Sequence, residues 1–191
     1  MASTYPTSLD VFTNPLAANP LTAPSHAQQH SDINDAVEAL EAKVDIGNTV
    51  LGAWIDYTPT WTGSGTNPVI GNGSITGRYS LVNKTVTAQI YISMGSTTTF
   101  GTGAYFFSLP VTAAATLVGY PALGAGWGND VSAVNATTFV AQVHNSGTTT
   151  FGLRYTGAAG AAGAAGAVGP TAPYTWASGD FITAIIQYKA A

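Results

Sequence analysis

The sequence predicts a mainly β protein: an extended N-terminal arm, one short coiled-coil helix and a C-terminal β-sandwich of jelly-roll type. Three observations carry that expectation. A single stretch, Ser25 to Gly47, repeats its apolar residues at helical spacing. From Trp54 onward, short runs of alternating apolar and polar residues follow one another between Gly/Asn turns. Ahead of the helix, Pro6, Pro15, Pro20 and Pro24 disfavour helix at the residues before them. The expected divisions are an arm over 1–24, a helix over 25–47, a linker over 48–56 and a β-domain over 57–191.

The arm is not a charged tail. Leu9, Val11, Phe12, Leu16 and Leu21 are apolar groups that an isolated coil would leave in water. They suggest an arm that docks in a groove on another subunit or another protein, the alternative being a frayed terminus.

In the helix, Ser25 and Gln28 have the spacing of a capping box, and Gly47 stands as a stop after the last turn. His26, His30, Ile33, Val37, Leu40 and Val44 then alternate at spacings of four and three, a coiled-coil seam. So narrow a stripe is expected to zip identical chains together. One amphipathic helix packed on a globular domain is the other reading. Val at a with Leu at d favours two strands, whereas Ile33 at d leans toward three, so the seam leaves the number open.

In the β-domain the candidate strands are Gly73–Val82, Thr85–Ser93, Ala104–Leu109, Thr138–Val143, Thr149–Tyr155 and Phe181–Tyr188. Asn83-Lys84 and Asn145-Ser146-Gly147 supply hairpin turns. Within Thr85–Ser93, Val86, Ala88, Ile90 and Ile92 alternate with Thr87, Gln89 and Tyr91, one face buried and one wet. Residues 157–169 place Gly at every third position, as GAAGAAGAAGAVG. Either a long Gly/Ala loop or a collagen-like bundle fits that period, and the near absence of proline favours the loop.

Composition narrows the function. Charged residues make up 7% of the chain and the net charge is −4, with Asp32, Asp35, Glu38, Glu41 and Asp45 concentrated on the helix. The four basic residues after Trp54 are Arg78, Lys84, Arg154 and Lys189, too scattered for a phosphate-tracking surface, so nucleic acid is not an expected partner. No run approaches the length of a membrane span, and the first residues lack the basic and apolar regions of a signal peptide. Cysteine is absent, which removes disulfides and thiolate chemistry.

Catalytic and cofactor motifs are missing as well, so neither an enzyme nor a cofactor is expected. His144 with Asp130 is the one pairing in the β-domain that could serve hydrolysis. His26 and His30 are the candidates for a metal, since three parallel helices would turn each into a ring of imidazoles. The same rings could instead stack or hydrogen-bond without an ion. Tyr120, Trp127 and Trp176 lie in Gly/Pro-rich connections and are candidates for stacking on a sugar of a host receptor.

The block SHAQQHSDINDAVEALEAKV, preceded by TSLDVFTNP and followed by YTPTWTGSGTNPVIGNGSITGRYSLVNKTV, resembles structural proteins of tailed bacteriophages, particularly those of actinobacterial hosts. The likeness is to minor tail, fibre and head-attached proteins. It covers the arm, the stalk and the first part of the β-domain, and the helix block is its most distinctive piece. It implies a homotrimer located in the virion. Residues 9–15 of the arm would anchor to capsid or tail proteins, the short helix would trimerise, and the β-domain would face outward to bind a host-surface glycan. A capsid or tail decoration protein without receptor binding is the alternative. The resemblance transfers no catalytic residue, and the Gly-Ala-Ala segment departs from it.

If the seam closes around an axis, protonating His26 and His30 brings like charges together there. The thermal midpoint of the assembled stalk is then expected to fall between about pH 7 and about pH 5. A midpoint that does not move over that range refutes the idea.

Overall fold

The computed structural model describes residues 26–44, 52–115, 123–132, 137–156 and 165–191. The arm residues Leu9, Val11, Phe12, Leu16 and Leu21, the cap Ser25, the stop Gly47, Tyr120 and positions 157–164 of the Gly-Ala-Ala segment lie outside them. The chain divides into two compact units, Met1–Ala53 and Trp54–Ala191.

In the first unit, helix α1 spans His26–Val44, within the expected bounds. Its 19 residues make a rod of about 28 Å at 1.5 Å per residue. Gln28 Nε2 donates to Asp32 Oδ1 at 2.8 Å, a one-turn pairing that supports the outer face. The seam residues Ile33, Val37 and Leu40 are 54%, 47% and 54% exposed, so a single chain leaves the stripe in water.

The described residues of the second unit form ten strands: β1 Ile55–Tyr57, β2 Trp61–Gly63, β3 Ser74–Val82, β4 Thr85–Ser93, β5 Tyr105–Ser108, β6 Gly124–Asp130, β7 Thr137–Asn145, β8 Thr150–Thr156, β9 Ala165–Ala167 and β10 Phe181–Lys189. They form one antiparallel sheet in the order β1-β3-β4-β10-β6-β7-β8-β5-β2, with β9 on β8. The unit is mainly β as expected, and its strands share one hydrogen-bonded path. The sheet curls, and the side chains of its inner face meet in one core. β1 also takes in Ile55 and Asp56 from the stretch expected to be linker.

Side-chain alternation builds that core. Val86, Ala88, Ile90 and Ile92 of β4 face inward beside Ile182, Ala184, Ile186 and Tyr188 of β10, and all are buried. From the other end of the path, Phe107 packs on Phe151 at 5.5 Å between ring centroids, and Trp61 meets Tyr105 edge-on at 4.9 Å. The β3–β4 hairpin closes through Asn83-Lys84 as expected. Asn83 takes a φ of 54°, which asparagine tolerates better than most residues.

Strand β6, GAGWGND, was expected to be a connection because glycine is a poor strand former. Packing overrides propensity here. A Cβ on Gly124 would fall on the carbonyl oxygen of Ile185, and one on Gly126 would lie 2.9 Å from Leu153 Cδ2. The glycines therefore let β6 lie close to the β10 backbone on one side and to the Leu153 side chain in the core. The end of the Gly-Ala-Ala segment is likewise strand, Ala165–Ala167 pairing with Arg154, Tyr155 and Thr156 of β8.

Buried phenols add polar fixtures. Tyr188 Oη donates to the Val111 carbonyl at 2.7 Å and accepts from the Val111 N–H at 3.2 Å. Burial pushes its pKa up to about 12, partly offset by the Val111 hydrogen bond. Burial likewise raises Tyr105, whose hydroxyl donates to the Phe100 carbonyl, and Tyr57, whose buried hydroxyl has no hydrogen-bond partner among the described residues.

Two outcomes follow from this packing. Gly124→Ala must displace the β10 backbone and should cost about 2 kcal/mol or more in chemical denaturation. Burial keeps the Tyr188 proton on the native state at pH values where the unfolded chain has lost it. Its contribution to stability is therefore complete below about pH 10 and disappears as pH rises through about 12. Denaturation midpoints measured at about pH 9 and about pH 11 should show that decline.

Candidate ligand groove on the outer sheet face

The strand register that buries one set of side chains presents the other set to solvent. Across β1, β3, β4, β10, β6 and β7 this outer face forms a groove of about 680 Å³. Thr183 on β10 lies opposite Tyr91 on β4 and opposite Trp127 on β6, and Trp127 lies opposite Val140 on β7. Trp127, Tyr91, Ile185 and Val140 are 39%, 43%, 41% and 64% exposed. Phe181 steadies the aromatics. Its ring meets Trp127 edge-on at 4.9 Å and Tyr91 at 5.9 Å.

The polar end of the groove is built by β1, β3 and β4. Arg78 stands opposite Asp56 on one side and Gln89 on the other. Its Nε donates to Gln89 Oε1 at 2.9 Å, and its guanidinium lies 5.0 Å from the ring centroid of Trp54. Held on two sides, the planar group is oriented in advance. The arrangement can offer aromatic and aliphatic faces along its floor, with one carboxylate, one guanidinium and an amide at one end.

Trp127 lines the groove from strand β6 instead of from a connection. Trp176 does not: it is 3% exposed, and its Nε1 donates to the Gly169 carbonyl at 2.8 Å, so it is a core residue. His144 and Asp130 are not brought together. Asp130 pairs with Thr137, seven residues before His144 on β7, a separation of about 23 Å along the strand. Asp130 and Asp180 instead converge on the turn leaving β6. Asp180 Oδ1 accepts from Val131 N at 2.9 Å and Ser132 N at 3.1 Å, and its Oδ2 accepts from Ala177 N at 2.7 Å. Asp130 Oδ1 accepts from Ser132 Oγ at 2.8 Å. Both carboxylates are buried structural acceptors.

On α1, His26 and His30 do meet. Their Nε2 atoms are 3.0 Å apart and the rings are edge-to-face at 4.5 Å. Among the described residues no group of three metal-ligating side chains converges. Sequence reasoning missed Tyr91, Val140, Ile185, Arg78 and Asp56 as groove residues. For Ile185 and Val140 the signal was an apolar side chain out of phase with the buried alternation, Ile185 among Ile182, Ala184 and Ile186, and Val140 beside Ala141 and Val143.

No family model, curated protein or solved structure matches the chain.

The buried carboxylate gives a structural control for any groove variant. Asp180→Ala leaves three backbone N–H groups without their acceptor. It should cost about 3 kcal/mol or more in a denaturant melt, with no direct effect on groove side chains.

Proposed function

We propose that this protein is a homotrimeric virion component of a tailed phage, a small fibre or spike whose β-unit binds a host surface through the outer-face groove. One observation carries the reading: Trp127 and Tyr91, both braced by the Phe181 ring, line an open groove instead of joining the core. Exposed rings held by neighbours are suited to stacking on sugar faces at little cost in side-chain entropy. The exposed stripe Ile33, Val37 and Leu40 supports assembly through α1, and the phage resemblance supports a site in the particle. The role proposed is binding rather than hydrolysis. Of the groove's described lining residues only Asp56 is a carboxylate, whereas glycoside hydrolysis ordinarily calls for two.

A second reading is a capsid or tail decoration protein. Val140 and Ile185 favour it, since exposed aliphatic groups in the groove suit contact with a neighbouring protein.

Solution mass separates assembly from its absence. A trimer is expected, converted to monomer by Ile33→Asp with Leu40→Asp, and a wild-type monomer at micromolar concentration overturns the stalk. Host-envelope binding separates the two roles. Fluorescently labelled protein should adhere to host cells, and Trp127→Ala should weaken adhesion about tenfold or more. Wild-type protein that does not adhere favours decoration.

A further inference from the structure

The proposed host-surface role says nothing of the ligand's charge, but the groove's polar end does. Asp56 and Arg78 are direct cross-strand partners on β1 and β3, and both line the groove. Among the described residues the Asp56 carboxylate has no hydrogen-bond or ion-pair partner, and Arg78 is engaged only through Nε and its face over Trp54. A ligand at this end therefore meets one unpaired acceptor group and one guanidinium whose terminal nitrogens are open. An anionic ligand would be repelled by Asp56 and a cationic one by Arg78. A hydroxyl pair suits both, because it donates to the carboxylate and accepts from the guanidinium.

The remaining lining fits the same chemistry. Thr76, Gln89 and Thr183 are uncharged groups able to donate and accept, while Tyr91 and Trp127 offer ring faces. From β1 to β7 the groove crosses five strand intervals, about 24 Å at 4.8 Å each, enough for several sugar units. Arg154 lies one strand farther, opposite Gln142 and outside the lining, so the positive charge it adds is at the margin.

Resting on the host-surface reading, we infer that the groove takes a neutral saccharide chain laid across the strands. Its ring faces stack on Trp127 and Tyr91, and a hydroxyl pair is read by Asp56 and Arg78.

The test is equilibrium binding of the full chain to immobilised neutral polymers (a β-glucan, a galactan, an arabinan) and acidic ones (polygalacturonate, hyaluronate). Binding to isolated host envelopes runs in parallel. The expected result is binding to at least one neutral polymer, little altered between low and high salt. Trp127→Ala and Asp56→Asn should each weaken it about tenfold, with denaturation midpoints close to wild type because both side chains are on the outer face. Binding confined to acidic polymers, strengthened by Asp56→Asn and removed by high salt, overturns the inference while leaving host-surface binding in place. So does envelope binding that no neutral polymer competes. Failure to bind both envelopes and polymers removes the host-surface reading itself.

Discussion

The β-unit depends on where strand β10 docks. It pairs through nine positions with β4 and six with β6, and so joins the β1-β3-β4 ladder to the β6-β7-β8 ladder. The two sides of that junction are far apart in the chain: Thr183 and Ile90, linked by a side-chain hydrogen bond, are 93 positions apart in sequence. Such nonlocal closure carries an entropic cost that its contacts must offset. Until β10 is in place, β4 and β6 both present unpaired edges.

The same docking creates the groove. Ile182, Ala184 and Ile186 turn into the core while Phe181, Thr183 and Ile185 turn out, and Thr183 and Ile185 form the middle of the floor. Phe181 opens β10 and braces both exposed rings, Tyr91 and Trp127. A strand that completes the core thus also positions the binding surface.

Much of this was readable in the residues, and the failures have physical causes. The helix and the long strands β3, β4, β7, β8 and β10 follow from periodicity, because alternation over seven to nine residues is a strong signal. β1, β2 and β9 are three residues each, too short to carry a pattern. β6 was hidden because its glycines are demanded by contacts with Ile185 and Leu153, which no local reading reveals. The single path from β1 to β2 was not legible, since strand count and turn spacing do not say which strands share hydrogen bonds. Trp127 and Trp176 looked alike in sequence, both in Gly-rich surroundings. Register sends one outward, and a carbonyl acceptor at Gly169 holds the other inside.

The distribution of indoles has a practical consequence. Of the four tryptophans, Trp61 and Trp176 are buried, while Trp54 and Trp127 are exposed, one against Arg78 and the other on the groove floor. Intrinsic emission therefore divides into a sheltered population and one open to a soluble quencher. A molecule lying in the groove would shield Trp127 while leaving the sheltered pair untouched, so the protein carries its own label-free gauge of occupancy.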